Sequence, residues 1–327
     1  MTAKQKRIGI LTSGGDAPGM NAAIRAVVRS AIPHGYDVLG FRHGYTGLID
    51  GDCTRMDARS VGGIIDRGGT VLGTSRCGRL KTEVGPADAS NQVRHHGLDA
   101  LVVIGGNGSH EGARKLVNQG VPVIGIASTI DNDLPECDVS IGSTTALDTA
   151  IQAIDRLRVT ASAHGRVFLV EVMGRDSGHL ALCAGIAGGA ESIVIPEVEI
   201  DAESVAAQIL SAYQRGKSHA IVVVAEGARY NADGLANHFH MHRDRLGFEM
   251  RVTKLGHTQR GGAPGIYDRL IASQLGAAAV DHIVAGEFGL TLGITSGKVT
   301  PTRISELTGK KKPLNTQLLA LAQVLTL

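Results

Sequence analysis

A threonine and two acids follow an apolar strand near the middle of the chain. The segment STIDND (128–133) comes directly after VIGIA and contains Thr129, Asp131 and Asp133. An exposed turn would carry mixed polar residues, whereas these residue types after a buried strand are typical of a catalytic strand end. The pattern therefore predicts that 128–133 lie in an active site.

Three glycine-rich turns could hold phosphate groups near these acids. They read TSGGDAPG (12–19), GGNGS (105–109) and MGRDSG (173–178). The glycines let backbone N–H groups approach phosphate oxygens, and a helix N-terminus behind each turn favours an anion. Each turn alone is equally compatible with an ordinary tight turn. The second turn carries the uncharged Asn107, whereas phosphate chemistry usually brings magnesium and a carboxylate to hold it.

Arginines beside predicted turns and strand ends indicate more than one phosphate site. A lone arginine is more often solvated or ion-paired, but guanidinium groups also bind phosphate oxygens in a forked geometry. Several arginines near glycine turns and an acid pair favour two phosphate sites. They are Arg76, Arg166, Arg175, Arg251 and Arg260.

Alternating strand and helix patterns predict the elements that position these residues. Seven apolar runs predict strands, namely KRIGIL, YDVLGF, ALVVIGG, VPVIGIA, RVFLVEVMG, ESIVIPE and HAIVVVAEG. Helical patterns such as NAAIRAVVRSAI and a long helix from about Thr144 to Ala161 separate them. We therefore expect an α/β fold of two similar domains, each a mainly parallel sheet covered by helices.

Length and composition restrict the function further. The 327 residues suit two domains, and a net charge of +2 argues against nucleic acid as a partner. The four cysteines are scattered without a C-x-x-C pair, so neither zinc nor a disulfide framework is indicated. We expect no membrane partner and a cytoplasmic location, because no signal peptide and no run of 18 apolar residues occurs.

The motifs together resemble those of the bacterial 6-phosphofructokinases. LTSGGDAPGMNAAIR, GGTVLGTSR, GGNGS, TIDNDL, AIDRLR, VEVMGR and LGHTQRGG occur in the family's order, and the resemblance extends from about Arg7 to Leu275. It implies the phosphofructokinase fold. We expect a donor-binding domain over 1–141 and 258–304, and a sugar-phosphate-binding domain over 142–257 and 305–327.

The resemblance implies a role for each matching residue. Asp131 would be the general base for the sugar 1-hydroxyl, with Asp133 tuning the base and the metal environment. Thr129 and Arg175 would contact the transferred phosphoryl group, and Arg76 would bridge the donor phosphates. The remaining nucleotide contacts would be Gly15, Cys77, Gly108 and Ser109, with Asn107 serving the metal. Fructose 6-phosphate would be held through its sugar by Met173, Gly174 and Glu226, and through its 6-phosphate by Arg166, Arg251, His257 and Arg260.

The loop residues favour ATP over pyrophosphate as the donor. ATP-dependent members of the family read GGDGS, whereas pyrophosphate-dependent members usually read GGDD and carry a lysine before TIDND. Gly108 leaves room for a nucleotide, and Ser128 stands where that lysine would be. Asn107 can still offer an oxygen to Mg²⁺ but supplies no charge. The alternatives are a non-catalytic or weakly active regulatory paralogue and a pyrophosphate-dependent enzyme.

The resemblance also implies an effector pocket and an oligomer. In bacterial relatives, the matching positions bind ADP or phosphoenolpyruvate between subunits, although these residues could equally be exposed helix charges. One arginine of the family's pocket is replaced by Ala58. Two of the 6-phosphate arginines, Arg166 and Arg251, cross a subunit interface in the family, which implies a homotetramer. The effector positions are Arg25, Arg29, Arg158, Glu191, Arg215 and Lys217.

Overall fold

The computed structural model describes residues 5–325. The chain forms two compact units, and it passes between them three times. Unit 1 contains Met1–Thr144 and Arg260–Lys312, and unit 2 contains Thr145–Gln259 and Pro313–Leu327.

The described residues form strands and helices in alternation. The strands are β1 (Lys6–Ser13), β2 (Tyr36–Phe41), β3 (Cys53–Met56), β4 (Ala100–Gly105), β5 (Val123–Ala127), β6 (Val167–Val172), β7 (Ser192–Val194), β8 (Ala220–Ala225), β9 (Met250–Lys254), β10 (Leu290–Thr295) and β11 (Lys298–Arg303). The helices are α1 (Met20–Ala31), α2 (Tyr45–Asp50), α3 (Gly85–His95), α4 (Asn107–Asn118), α5 (Ser143–His164), α6 (His179–Ala187), α7 (Ala202–Gln214), α8 (Ala232–Met241), α9 (Arg243–Leu246), α10 (Ile266–Ala285), α11 (Ile304–Leu307) and α12 (Thr316–Leu325). Short 3₁₀ helices occur at Ile32–His34, Arg79–Lys81 and Gly256–Gln259.

Unit 1 contains a seven-stranded sheet whose central strands are parallel. The strand order is β11-β10-β5-β4-β1-β2-β3, with antiparallel pairs at the two edges. Ser13 pairs with Gly105, and Gly105 pairs with Ala127, so β1, β4 and β5 end in register. The three segments that follow these strands therefore begin side by side at one edge of the sheet.

Burial explains why these segments form the centre of unit 1. All residues of β4 and β5 are buried, which matches their continuous apolar sequences and is typical of parallel strands covered on both faces. Helices α1 and α10 pack closely against each other. A Cβ atom at Gly276 would lie 2.6 Å from the Ala26 Cβ and 2.7 Å from the Ala23 carbonyl oxygen, so only glycine permits this approach.

Unit 2 contains a four-stranded parallel sheet in the order β7-β8-β6-β9. Val172 at the end of β6 pairs with Ala225 at the end of β8. Helices α7 and α8 pack against this sheet through an apolar cluster that includes Val205, Ile209 and Phe239. Both helices begin with a side-chain cap, because Asp201 accepts from the Ser204 N–H and Asn231 accepts from the Gly234 N–H.

The fold class predicted from the sequence is confirmed, and all seven predicted strands are present. The long predicted helix is α5, which begins at Ser143 and ends at His164. The two sheets differ in size, with seven and four strands. No helix within residues 5–325 combines the length and apolar character that crossing a membrane requires.

Candidate functional site

Three segments meet at the carboxyl edge of the unit 1 sheet. They follow β1, β4 and β5, whose last residues are aligned across the sheet. The side chain of Ser109 ties two of them together, because its Oγ donates to the Ser13 carbonyl oxygen at 2.9 Å. The fold therefore places TSGGDAPG, GGNGS and STIDND together, as expected for ligand binding outside the carboxyl ends of parallel strands.

The glycine turn after β4 leads directly into a helix. Helix α4 begins at Asn107, so Gly108 and Ser109 belong to its first turn and their N–H groups lie at the positive end of the helix dipole. The Tyr45 hydroxyl donates to the Ser109 carbonyl oxygen at 2.7 Å. Burial, with a smaller effect of the Cys77 thiol, raises the pKa of Tyr45 well above its usual value, so the phenol stays protonated and remains a donor. This hydrogen bond thus fixes the first turn of α4, whose helix dipole favours an anion at this end.

Asn107 links the glycine turn to the acid-bearing segment. Its Nδ2 donates to the Asp133 backbone carbonyl oxygen at 3.3 Å. Its Oδ1 is then directed away from this carbonyl and can serve as a neutral oxygen ligand. A carboxylate at this position could not donate the same hydrogen bond, because an ionised carboxylate only accepts.

Gly108 is exposed and faces open space. A Cβ atom at this position would meet nothing within 4 Å, and the backbone does not require a glycine. The internal packing of the described chain does not explain this glycine. The space beside it is available for a ligand at the N-terminus of α4.

Asp131 is held in a buried turn. Its exposed fraction is 3%, and its N–H donates to the Thr129 Oγ1 at 3.2 Å. The turn depends on Asn132, which has a φ of 50° in a region where asparagine is enriched. The Asn132 Oδ1 accepts from the Ser140 N–H at 2.9 Å, and the Ser140 Oγ donates to the Thr129 carbonyl oxygen at 2.6 Å. This network fixes the backbone that carries Thr129 and Asp131.

Arg260 lies beside Asp131. Its Nη2 is 3.9 Å from the Asp131 Oδ1, and its Nη1 donates to the Asp16 carbonyl oxygen at 2.9 Å. Its guanidinium also borders Gly15, where a Cβ atom would lie 2.5 Å from Nη1. Arg260 is 8% exposed, so this positive charge is nearly buried next to the acid. The guanidinium therefore offers a positive charge within ion-pair distance of the buried acid.

Arg76 lies on a loop anchored to the first glycine turn. The Thr74 Oγ1 donates to the Gly14 carbonyl oxygen at 2.8 Å, and the Ser75 Oγ donates to the His43 carbonyl oxygen at 2.7 Å. Arg76 itself is exposed, and the half-buried Cys77 packs against the apolar cluster of Tyr45. The loop therefore holds both predicted nucleotide-contacting residues near the carboxyl edge of unit 1.

Unit 2 places its predicted sugar-binding residues at the carboxyl edge of its own sheet. The Glu226 Oε1 accepts from the Arg175 N–H at 2.9 Å and from the Gly174 N–H at 3.3 Å. Gly227 must be glycine, because a Cβ atom there would lie 1.7 Å from the Arg175 carbonyl oxygen. Met173 and the exposed His257 lie at the same edge, and the Met173 N–H donates to the Gln259 Oε1 at 2.8 Å in the turn that carries His257.

Arg166 and Arg251 lie at the opposite edge of this sheet. Arg166 precedes β6, and Arg251 on β9 pairs with Phe168 near the start of β6. Both arginines face one acid, because the Arg166 Nε is 3.0 Å and the Arg251 Nη2 is 3.8 Å from the Glu249 Oε2. The structure therefore brings these two cations together. Within unit 2 it separates them from the edge that carries Arg175 and Glu226.

The predicted effector positions fall in both units. In unit 1, Arg25 and Arg29 are one turn apart on α1. In unit 2, the Lys217 Nζ is 2.8 Å from the buried Glu191. Arg158 donates to the carbonyl oxygen of Gly188, which lies three residues before Glu191. These three unit 2 residues are neighbours. Arg215 follows α7 and bonds to the Ser211 Oγ at 2.7 Å, and Ala58 is exposed.

Two residues that orient the site were missed by the sequence analysis. Gln259 is fully buried and bonds to the Met173 N–H. Asp268 is fully buried on α10 and accepts from the Gly142 N–H at 2.8 Å and from the Thr144 Oγ1 at 2.6 Å, which fixes the start of α5. Their partners are distant along the chain, so no local pattern indicated either role.

Comparison with known proteins agrees with this geometry. A family model described as Phosphofructokinase matches residues 7–283. The ATP-dependent 6-phosphofructokinases of Natranaerobius thermophilus and Halalkalibacterium halodurans are 48% and 49% identical to this chain over 322 residues, which is 98% of this chain and 100% of each relative.

Solved structures show the same fold. Pichia pastoris phosphofructokinase in the T-state superposes with a TM-score of 0.87 and 34% identity, over 98% of this chain and 38% of that one, so this chain spans less than half of the yeast chain. A pyrophosphate-dependent phosphofructokinase from Marinobacter aquaeolei superposes with a TM-score of 0.84 and 24% identity, over 95% of this chain and 86% of that one. Curated relatives match over their whole length, and two of the glycine turns and the acids of the motifs lie at one sheet edge of unit 1. The chain therefore belongs to the phosphofructokinase family.

Proposed function

We propose that the chain is an ATP-dependent 6-phosphofructokinase, which transfers the terminal phosphoryl group of ATP to the 1-hydroxyl of fructose 6-phosphate. The products are fructose 1,6-bisphosphate and ADP, and the reaction belongs to glycolysis. One observation carries the proposal: a buried aspartate, Asp131, lies beside a glycine turn and a helix N-terminus at one edge of a parallel sheet. The names of the curated relatives support it.

Asp131 acts as the general base. It takes the proton of the 1-hydroxyl while the sugar oxygen forms a bond to the terminal phosphorus and the bond between that phosphorus and the ADP oxygen breaks. Such a transfer depends mainly on positioning and on charge stabilisation. The turn network of Thr129, Asn132 and Ser140 fixes the position of the acid, and the Arg260 guanidinium places a positive charge 3.9 Å from its Oδ1.

The N-terminus of α4 receives the donor phosphates. Its N–H groups and dipole favour an anion, and Ser109 keeps it attached to the first glycine turn. The open space beside Gly108 supports a nucleotide as the donor, because any side chain there would occupy that space. Arg76 and Gly15 supply further contacts to the phosphates, and Thr129 contacts the group in transfer.

The donor set beside α4 suits a magnesium ion. Asn107 offers a neutral oxygen, and Asp131 and Asp133 offer carboxylates from a segment to which Asn107 is hydrogen-bonded. Mg²⁺ prefers such hard oxygen ligands and usually keeps several waters. When bound with the nucleotide, Mg²⁺ neutralises charge on the phosphates. We infer that Asn107 holds it more weakly than an aspartate would, because the amide adds no charge.

Fructose 6-phosphate binding requires a second copy of the chain. In unit 2, the residues assigned to the sugar lie at the carboxyl edge of the sheet, whereas Arg166 and Arg251 lie at the amino edge. The four residue-to-residue steps from Phe168 to Val172 alone span about 13 Å. This separation supports an oligomer in which the two arginines serve a neighbouring subunit. The homotetramer, the cytoplasmic location and an ADP or phosphoenolpyruvate effector remain predictions from the family.

A non-catalytic regulatory paralogue is the rival function, and Asn107 is the observation that favours it. Against it stands the retained and carefully positioned Asp131. The test is a coupled kinase assay of the purified chain with ATP and with pyrophosphate across a range of Mg²⁺ concentrations, with Asp131→Asn as the control. ATP-dependent turnover that is lost in Asp131→Asn would support the proposal. Turnover with pyrophosphate alone, or none with either donor, would overturn it.

A further inference from the structure

Two histidines and a glutamate form a compact cluster on the surface of unit 2. His238 lies on α8 and His242 follows that helix one turn later, so their side chains project from the same face. Glu203 projects toward them from the first turn of α7, and its Oε1 lies 2.7 Å from the His238 Nε2. The ring centroids of the two histidines are 4.6 Å apart.

The ligand atoms of the cluster are close enough for one ion. One nitrogen of each histidine and one Glu203 oxygen all lie within 4.8 Å of one another. Tetrahedral nitrogen and oxygen ligands at about 2.0–2.2 Å from zinc lie about 3.4 Å apart, so side-chain rotation must bring these atoms closer together when the ion binds. His238 is half-buried and the other two side chains are exposed, so an ion can reach the site from solvent.

We propose that His238, His242 and Glu203 bind a divalent transition-metal ion such as Zn²⁺, Ni²⁺ or Co²⁺. Two imidazole nitrogens and one carboxylate suit these ions, whereas Mg²⁺ and Ca²⁺ prefer oxygen ligands alone. Three protein ligands leave a fourth position for water or another ligand. The site belongs to unit 2 and uses none of the residues assigned to phosphoryl transfer.

Arg245 would compete with the ion for the Glu203 carboxylate. Its Nη2 lies 2.5 Å from the same Glu203 Oε1 that faces His238. A bound cation repels this guanidinium and replaces both hydrogen bonds to that oxygen. Because the ligands come from α7 and α8, the ion joins the two helices of this surface, and a metal that binds the folded state raises the temperature of unfolding.

Titration with ZnCl₂ tests the site. The untagged full-length chain is first freed of metals with a chelator and is then titrated in a buffer that contains millimolar Mg²⁺. We expect saturable binding of one Zn²⁺ per chain and a higher unfolding temperature with Zn²⁺. His242→Ala and Glu203→Gln should each lower the affinity for Zn²⁺ by more than about tenfold. Even the loss of a residue that is hydrogen-bonded to a metal ligand typically lowers metal affinity by about 10–100-fold. Arg245→Gln should raise the affinity.

His240→Ala is the matched control. His240 is exposed on α8 but lies two residues from His238, about 200° around the helix, and is outside the cluster. This variant should bind Zn²⁺ like the parent chain. Far-UV circular dichroism of each apo variant confirms that the helices are intact. The proposal is overturned if Zn²⁺ binding is not saturable, or if His240→Ala loses as much affinity as His242→Ala. It is also overturned if the His242 and Glu203 variants bind as tightly as the parent.

Discussion

The buried imidazole of His110 links the unfolding free energy of the chain to pH. His110 directly follows GGNGS on α4, and its side chain is fully buried against β5 and β10. The Thr291 Oγ1 lies 3.2 Å from its Nδ1. Burial lowers the pKa of His110 to about 4, although a hydrogen bond with the Gly105 backbone opposes this shift weakly. The folded chain therefore keeps this imidazole neutral at pH values where an unfolded chain would protonate it.

The expected loss of stability follows from this shift. Unfolded His110 titrates near 6.5 and folded His110 near 4, so its contribution is complete above pH 6.5 and is lost as the pH falls toward 4. A difference of about 2.5 units corresponds to about 3.4 kcal/mol of unfolding free energy in total. About 2 kcal/mol of this should already be lost at pH 5, since the slope approaches 1.36 kcal/mol per pH unit.

Urea unfolding at pH 7, 6 and 5, followed by circular dichroism, measures this contribution. Many carboxylates and histidines also titrate, so the informative quantity is the difference between the parent and His110→Gln, which retains an amide for Thr291 but cannot be protonated. His240→Gln, at an exposed position, is the matched control and should lose stability with acid as the parent does. Parallel losses in the parent and His110→Gln between pH 7 and 5 would refute the reasoning.

Four substitutions test the proposed kinase site. Asp131→Asn should lower kcat by about 10²–10⁴-fold while leaving sugar-phosphate binding largely intact, and near-normal turnover would remove Asp131 from the mechanism. Arg251→Ala should raise the KM for fructose 6-phosphate by about 10- to 100-fold, because a lost charge-assisted hydrogen bond costs about 1.5–3 kcal/mol; equal losses for ATP would indicate a structural role. Gly108→Asp should lower kcat/KM for ATP by more than about tenfold, through repulsion of the donor phosphates, with an unchanged urea midpoint, and a lowered midpoint would mean that packing requires this glycine. Asn107→Asp should lower the Mg²⁺ concentration for half-maximal activity by about fivefold. The added charge should strengthen binding of a divalent ion by about 2 kcal/mol, and the lost hydrogen bond should cost about 1 kcal/mol. An unchanged Mg²⁺ dependence would mean that this loop does not bind the metal.

The central strands could be predicted because local sequence determines them. Runs such as ALVVI are apolar without interruption, which is the pattern of a strand covered on both faces, and glycines follow them where the chain turns. Strands β3, β9, β10 and β11 were not predicted. Most residues of β9 and β11 are exposed or half-buried, so their sequences MRVTK and KVTPTR lack a continuous apolar run. Their pairing with distant strands determines their conformation.

Contacts between distant parts of the chain limited the prediction of the site. The motif that contains Arg260 indicated a phosphate contact, but its position beside Asp131 depends on a chain reversal that brings residues 260–312 back to unit 1. The Asp268 contacts with the start of α5 are equally remote in sequence. Arg166 precedes β6 and Glu226 follows β8, so the two residues lie at opposite ends of parallel strands in unit 2. The order of motifs along the sequence does not give the direction of these strands.

Asn107 lacks the negative charge of an aspartate, but it forms a hydrogen bond between two loops that an aspartate could not form. An aspartate would contribute a full charge to the metal but would place a carboxylate oxygen near the Asp133 carbonyl oxygen, to which it could not donate. The asparagine instead donates to that carbonyl, and so connects the segment that carries Asp131 to the N-terminus of α4 without an ion. The loop that carries the base is therefore less dependent on the metal for its position, whereas charge neutralisation at the phosphates depends more on the Mg²⁺ concentration. In the proposed kinase this connection positions Asp131 for proton transfer and for the metal, and a non-catalytic subunit needs neither. The neutral residue is therefore better explained as part of a working kinase with altered metal dependence than as a sign of lost catalysis.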